Sequence, residues 1–238
     1  MSNKNDKALH ILTQIATYTG SISIKELSAD LKMPLSSVYR YIALLKEWNL
    51  VEEEPYSKKV YIGSTSLLLS QNYQRNCDID AEIDSVLKRL TDATGETTAF
   101  MVPSGYHAMC IATHESSEAL RCSFEIGQTQ PLCRGASSKV ILTYMSEEWQ
   151  KKIADFYGFD ITGNTWRDGL KKIREERYAV SSSEINNGVI GISAPVIRRN
   201  QLVGALTIMA PGERAHSLQQ RLIDSVKEAA ISLSKENG

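Results

Sequence analysis

The sequence has few of the features that would place a chain in a membrane, outside the cell or along a polyanion. Its uninterrupted apolar runs are only a few residues long, as at Leu67–Leu69, whereas a membrane-spanning helix needs about 20 apolar residues. The amino terminus lacks the apolar segment of a secretory signal, so we expect a cytoplasmic protein with no membrane partner. The net charge of -1 excludes a globally basic nucleic-acid-binding surface, although it does not exclude a local basic patch.

Cysteine is scarce, and the spacing of the cysteines provides no metal-binding or redox motif. The four cysteines, none of them in a C-x-x-C pair, are Cys77, Cys110, Cys122 and Cys133. In a reducing compartment they are most simply buried thiols, with disulfides or a metal site as the alternatives. A metal site would combine Cys110 with His107 and His114, but a strand would project His107 and Cys110 to opposite faces. We therefore expect no metal site.

The motifs of common enzyme classes are missing as well. The sequence contains neither a Walker phosphate-binding loop nor a glycine-rich dinucleotide fingerprint. Catalysis by Cys133 as a nucleophile would need a histidine partner, and no sequence pairing supports one. We therefore expect no enzyme activity, no catalytic residues and no cofactor.

What remains is an ordinary globular composition. The chain is 42% hydrophobic and 23% charged, with 14 glycines and 6 prolines, which excludes wholesale disorder and collagen. A length of 238 residues allows either one large domain or two smaller domains, and the pattern along the chain favours two.

The first sixty residues have the pattern of three helices followed by a hairpin. Apolar positions from Ala8 to Ala16 recur at helical spacing. Ser23 and Glu26 have the S-x-x-E spacing of a helix start, in which each side chain satisfies a backbone N–H of the first turn. A third helix is predicted from about Leu35 to Trp48.

The outward face of this third helix suits the major groove of DNA. A helical wheel places Val38, Tyr41, Ile42 and Leu45 on one side and Ser36, Tyr39, Arg40 and Ala43 on the other. No carboxylate occurs between Lys32 and Lys46, so hydroxyls can meet phosphates and Arg40 can pair with a guanine edge. Taken alone, the helix is equally well explained by a solvated polar face.

The segment after the third helix favours the DNA-binding interpretation. Two short strands, Leu50–Glu53 and Lys59–Ile62, flank a turn with lysines at its tip, and this hairpin completes a winged helix-turn-helix. The predicted DNA contacts are Ser36, Ser37, Tyr39, Arg40, Lys58 and Lys59. A small structural three-helix module is the alternative.

The rest of the chain predicts a linker helix and an α+β domain. The predicted division is 1–63 for the winged helix, 64–77 for the linker helix and 78–238 for the second domain. Two amphipathic helices, one with apolar positions from Ile79 to Leu90 and the last one with apolar positions from Leu218 to Leu233, are expected to flank a sheet. Helices on one face of this sheet would leave the other face and its loops free to build a pocket. The five strands predicted, in antiparallel-type connections, are Thr97–Val102, His107–Thr113, Leu120–Glu125, Gly188–Ile197 and Gln201–Met209.

Five short segments, in this order and spacing, resemble the IclR family of bacterial transcriptional regulators. The segments are Leu35–Arg40, Tyr61–Gly63, Arg134–Lys139, Gly188–Val196 and Val203–Pro211. The resemblance covers essentially the whole chain. It implies a winged helix-turn-helix, a linker helix and a GAF-like effector domain that binds a small metabolite, in a dimer or a dimer of dimers. The recognition helix departs from the arginine-threonine-rich pattern common in that family, so an operator preference does not transfer.

Two segments of the second domain are predicted to bind the effector. Small residues at Cys133–Lys139 precede an apolar helix, where backbone N–H groups can approach a carboxylate closely; tight packing of a loop is the alternative. Polar residues alternate with apolar ones on the predicted strands, where they line a pocket or bind one another. The predicted effector contacts are Cys133, Gly135, Ala136, Ser137, Ser183, Glu184, Gly191, Ser193, Thr207 and Met209.

These observations predict a ligand-responsive transcriptional regulator, a repressor or an activator, of a catabolic operon. Its partners would be double-stranded operator DNA and an organic-acid-like effector, a carboxylate or a sugar acid. Since a palindromic site needs two recognition helices, we expect a homodimer or a dimer of dimers. The alternative is a metabolite sensor or enzyme domain whose helix-turn-helix serves only protein contacts.

Overall fold

A computed structural model of the chain describes residues 4–76 and 81–235. The chain divides into two compact units, Met1–Asp78 and Ile79–Gly238. Cys77, Ile79 and the predicted boundary between residues 77 and 78 lie outside the described residues. Within the described part, none of the helices combines the length and the apolar character needed to cross a membrane.

Within residues 4–76, the first unit contains four helices and a two-stranded hairpin. These are α1 (Lys4–Ile15), α2 (Ile24–Asp30), α3 (Leu35–Glu47), β1 (Val51–Glu53), β2 (Val60–Ile62) and α4 (Thr65–Asn76). The predicted S-x-x-E cap is present at α2: Ser23 Oγ accepts from the Glu26 N–H at 3.2 Å, and Glu26 Oε2 accepts from the Ser23 N–H at 3.1 Å. Local sequence therefore determines where this helix starts.

One apolar cluster holds the first unit together. It includes Ile11, Ile15, Leu27, Val38, Ile42, Leu45, Val51 and Val60. Because Val38, Tyr41, Ile42 and Leu45 of α3 are buried, the opposite face of that helix is directed to solvent. The hairpin is tied to the segment before α2 by two backbone hydrogen bonds between Ile22 and Val60, at 2.8 and 2.9 Å.

The second unit is built around a six-stranded antiparallel sheet in the order β5-β4-β3-β8-β7-β6. The strands are β3 (Thr97–Ser104), β4 (His107–His114), β5 (Thr129–Pro131), β6 (Ala179–Ser182), β7 (Val189–Arg198) and β8 (Gln201–Pro211). The helices are α5 (Ala81–Thr94), α6 (Ala136–Tyr144), α7 (Glu147–Tyr157), α8 (Asn164–Glu176) and α9 (Gly212–Ser234).

Helices cover both faces of this sheet. On one face Phe100, Ile192 and Leu206 pack against α5 and α9. On the other face Met101 and Ala205 pack in a cluster that includes apolar residues of α6, α7 and α8. The expectation of a sheet with one face free of helices is therefore wrong.

Two short edge strands replace one strand of the sequence prediction. The predicted strand Leu120–Glu125 is absent: Leu120 is exposed, and β4 pairs instead with β5. The edge strands β5 and β6, of three and four residues, were not predicted because so few residues carry no clear alternation. Pro131 fits this arrangement, since proline is tolerated in an edge strand.

Candidate functional site

The outward face of α3 presents the predicted recognition residues to solvent. Ser36, Arg40 and Tyr39, the last 52% exposed, lie on the open side, and Ser37 is half-buried. Arg40 Nη2 lies 3.3 Å from the Tyr41 hydroxyl, and the guanidinium lies 4.9 Å from the centroid of the Tyr41 ring. These contacts restrain the long side chain at the surface, where its other donors can reach a base edge.

The start of α3 is open to an anion. Pro34, at the N-cap, makes no side-chain capping bond, and the first turn contains no acidic residue. The Ser37 N–H donates to the Pro34 carbonyl at 2.9 Å, so the positive end of the helix dipole and the N–H groups that precede Ser37 are the features that a backbone phosphate can approach.

The turn of the hairpin carries Lys58 and Lys59, both exposed. Lys58 Nζ lies 3.4 Å from Glu53 Oε1, and Lys46 Nζ lies 2.8 Å from Glu53 Oε2. The two lysines hold the pKa of Glu53 below its usual range. Because exposed ion pairs contribute little free energy, Lys58 can exchange Glu53 for a phosphate at low cost.

A cavity of about 780 Å³ lies in the second unit, between the start of α6, the β6–β7 loop and the sheet. Its volume is in the range of small-molecule sites. Seven of the ten predicted effector contacts line it: Gly135, Ala136, Ser137, Glu184, Gly191, Thr207 and Met209.

Three predicted contacts are not on the cavity wall. Ser193 is fully buried, and its Oγ lies 2.9 Å from Thr207 Oγ1, so these hydroxyls satisfy one another. Ser183 is exposed with φ of 54°, and its Oγ accepts from the Gly188 N–H at 3.1 Å, which closes the β6–β7 loop. Cys133 is half-buried beside the cavity, and burial raises the pKa of its thiol, the opposite of what a nucleophile requires.

Sequence reasoning missed several residues of the wall. They include Arg121, Cys122, Phe124, Gln130, Ser181, Ile185, Arg214 and His216. Ser181 lies on the same side of β6 as Ala179, the other buried position of this strand, but β6 is too short for its alternation to be recognised in the sequence. In the sheet, Ser181 pairs with Gly191, and Gly191 pairs with Met209, so the three residues form one row across the wall.

Two glycines make this close packing possible. Gly135, the N-cap of α6, has φ of 86° and ψ of 154°, a conformation that side-chain-bearing residues rarely adopt. A Cβ at Gly135 would also lie 3.1 Å from Gln130 Nε2 and from Ile185 Cγ1. At Gly191 a Cβ would lie 3.0 Å from Ser181 Oγ. The absence of a side chain at both positions therefore lets Gln130, Ile185 and Ser181 lie close to the backbone around the start of α6.

The backbone donors at the start of α6 are occupied by the chain itself. The Gly135 N–H donates to Glu184 Oε2 at 3.0 Å, and the Ala136 N–H donates to Ser181 Oγ at 3.0 Å. Lys139 Nζ, one turn further along α6, donates to Glu184 Oε1. The sequence predicted that these donors face a ligand, whereas the structure places the oxygens of two side chains there.

An ion pair closes another part of the wall. Arg214 Nε and Nη2 donate to Glu96 Oε1 and Oε2 at 2.7 and 2.8 Å, and Glu96 is only 2% exposed. The hydrogen bonds to the Glu96 carboxylate raise the pKa of Arg214. This bidentate geometry positions α9 against the start of β3.

The cysteines and histidines are not assembled into a metal centre in the described residues. No group of three or more His, Cys, Asp or Glu side chains that could hold a metal ion occurs within 4–76 and 81–235. Cys110, Cys122 and Cys133 are free thiols. Burial raises the pKa of Cys110 to about 12, so this thiol stays protonated near neutral pH.

Two family models match the chain. The model described as the bacterial transcriptional regulator IclR C-terminal domain matches residues 71–235. The model described as the IclR helix-turn-helix domain matches residues 6–55. The matched ranges together include α3 and the whole cavity.

Individual transcriptional regulators are also similar to the chain in sequence and in structure. The chain is 26% identical to the HTH-type transcriptional regulator KipR of Bacillus subtilis, over 100% of this chain and 99% of that protein. It is 48% identical to the solved C-terminal domain of a transcriptional regulator from Vibrio cholerae, with 68% of this chain and 99% of that chain covered and a TM-score of 0.65. A regulator structure from Silicibacter sp. TM1040 matches with a TM-score of 0.80 at 22% identity, over 98% of this chain and 95% of that chain. These matches confirm the predicted fold class, a winged helix-turn-helix followed by an α+β domain with an antiparallel sheet.

Proposed function

Since this chain belongs to the IclR family of bacterial transcriptional regulators, we propose that it controls a catabolic operon and that a small organic acid alters its binding to operator DNA. Family membership makes the chain a transcriptional regulator with a helix-turn-helix and a C-terminal effector domain, and its relatives are named as regulators, not enzymes. The observation that carries the proposal is the cavity of about 780 Å³ around the start of α6.

The polar groups of the cavity support an acid as the effector. The hydroxyls of Ser137 and Ser181 border a space with largely apolar walls, next to the start of α6, where Glu184 and Ser181 accept from the backbone N–H groups. A carboxylate or a sugar acid would find donors at one end of this space and apolar contacts at Met101, Phe124 and Met209 elsewhere.

We expect the full-length protein to select related palindromic duplexes from a random-sequence pool and to melt at a higher temperature with its effector. A ligand at about 100 times its dissociation constant adds roughly 2.7 kcal/mol to the stability of the folded state. The selection from the random-sequence pool tests DNA binding. A thermal-shift screen over carboxylates, aromatic acids and sugar acids measures the stabilisation by each compound. Operator binding with each stabilising compound then measures its effect on DNA binding. Selection of no duplex would contradict the proposal and favour a helix-turn-helix that serves only protein contacts.

Two variants of the predicted DNA-binding surface are expected to weaken DNA binding in different ways. Arg40→Ala should weaken binding to the selected operator by about 1 to 3 kcal/mol, because an arginine that reads a base edge is worth that much discrimination. The double variant Lys58→Ala, Lys59→Ala should weaken all duplexes alike and flatten the dependence of affinity on salt. Fluorescence anisotropy at several salt concentrations, on the operator and on a scrambled duplex, measures both quantities.

The matched control removes two exposed lysines from α8, as Lys171→Ala with Lys172→Ala. This control changes the net charge by the same amount as the double variant of the hairpin and should leave DNA binding unaltered. Operator affinity equal to wild type in both DNA-face variants would remove the assignment of α3 and the hairpin as the DNA-binding surface.

Self-association is the remaining part of the proposal. Two recognition helices are needed for a palindromic operator, and Leu67, Leu68 and Leu69 of α4 are all more than half exposed, which favours contact with a second copy of the chain. Sedimentation equilibrium should therefore give at least twice the chain mass of 26.5 kDa. Leu68→Glu should shift the protein towards monomer, with Ser70→Glu on the same helix as the control. A stable wild-type monomer that binds its operator tightly would contradict the dimer.

A further inference from the structure

Glu184 occupies the place in the cavity that best suits the carboxylate of an acid. One of its oxygens accepts from the Gly135 N–H at the start of α6 at 3.0 Å, and the other accepts from Lys139 Nζ. A helix N-terminus and an ammonium group are the two features by which proteins commonly bind anions. The chain thus already contains a carboxylate bound at this point of the wall.

Two arginines of the cavity wall are also paired with carboxylates. Arg214 is bound by both oxygens of the buried Glu96, and Arg121 Nε lies 3.3 Å from Glu115 Oε2. The Arg121 pair is exposed on both sides, so solvent screens it and it offers little to a ligand. An acid that reaches the start of α6 therefore meets donors that already bind a carboxylate of the protein.

Of the two more buried carboxylates, Glu184 can leave more easily than Glu96. It lies on the β6–β7 loop, where Ser183, Ile185 and residues 186–188 are exposed. Movement of an exposed loop breaks few buried contacts, whereas removal of Glu96 would expose a residue packed at the start of β3.

We infer that Glu184 is an internal competitor of the effector, whose carboxylate binds Gly135 and Lys139 in the ligand-free chain and is replaced there by the carboxylate of an acidic effector. The inference rests on the proposed function and adds a specificity rule to it. A ligand without an acid group cannot displace Glu184 and so cannot move the β6–β7 loop. An acid can bind only to molecules in which Glu184 has left these donors. Its apparent affinity is therefore reduced in proportion to the fraction of such molecules.

The test uses acetate as the simplest carboxylate and acetamide as its neutral counterpart. Full-length wild type, Glu184→Gln and Glu184→Ala are titrated with each compound, and the Gly135 amide signal of ¹⁵N-glycine-labelled protein is followed by NMR. Acetate should bind Glu184→Ala about tenfold or more tightly than wild type, with Glu184→Gln between them, because a charge-assisted hydrogen bond no longer competes. Acetamide should bind all three proteins equally.

Glu175→Gln on α8 makes the same change of charge outside the cavity and should match wild type. Glu184→Gln keeps the size of the side chain, so it remains informative if Glu184→Ala folds poorly. Acetate affinity that is equal or weaker in both Glu184 variants would overturn the inference, since Glu184 would then be a structural clasp or a direct ligand contact.

The two proposals fail in different ways. If acetate affinity rises as expected but no acid in the screen alters operator binding, the competition by Glu184 stands and the proposed effector function fails. If an acid alters operator binding while acetate affinity is the same in all variants, the proposed function stands and the internal competitor is rejected.

Discussion

Arg214→Met is expected to lower the free energy of unfolding by about 3 kcal/mol. The substitution leaves the Glu96 carboxylate, 2% exposed, without the guanidinium that binds both of its oxygens. Breaking a buried ion pair costs about 3 to 5 kcal/mol, and the lower value applies because about a third of the Arg214 side chain is exposed. Urea denaturation in a Trp48→Phe background measures this, since the fluorescence of Trp149 and Trp166 then reports the second unit.

The double variant Glu96→Gln, Arg214→Met separates the unpaired charge from lost packing. Removing both charges should recover most of the lost stability, because a neutral amide is far less costly to bury than a carboxylate. A single variant within about 1 kcal/mol of wild type, or a double variant no more stable than the single, would show that the buried charge is not the cause.

Ala136→Leu is expected to abolish the response to the effector while DNA binding and the melting temperature stay close to wild type. Ala136 begins α6 and is one of the residues that line the cavity, so a larger side chain at this position is expected to extend into the space for the ligand. Operator affinity with and without the acid found in the thermal-shift screen, together with the melting temperature, gives all three quantities on one variant.

The matched control is Ala230→Leu, which makes the same change at a buried residue of α9, in the core between α9 and the sheet. Overfilling that core should cost about 1 to 3 kcal/mol and lower the melting temperature without a specific loss of effector response. If Ala136→Leu behaves like this control, and its folded fraction still responds to the acid, the start of α6 is packing and the effector binds elsewhere.

Much of the first unit could be predicted because its signals are local. The Ser23–Glu26 cap and the buried stripe of α3 depend on spacings of three and four residues, which the backbone geometry of a helix converts directly into contacts. The hairpin with Lys58 and Lys59 at its turn follows from the same kind of reasoning over thirteen residues, 50–62.

The second unit shows where local signals are insufficient. The long strands β3, β4, β7 and β8 carry enough alternation to be found, whereas β5 and β6 form only because an existing sheet edge offers them backbone partners. Leu120–Glu125 has the composition of a strand, but the edge of β4 that it would need is taken by residues 129–131.

For the site, the sequence by itself identified a segment of small residues before α6 and a set of polar strand positions, since both follow from residue type and period. Only the tertiary structure decided which of them face the cavity: Ser193 binds Thr207 inside the sheet, while Ser181 meets the Ala136 N–H across 45 residues. The position of Glu184 at the start of α6 is of the same kind, since its carboxylate accepts from the Gly135 N–H 49 positions earlier in the chain. No local pattern specifies such contacts, because they arise from sheet register and loop closure, which depend on the packing of the whole domain.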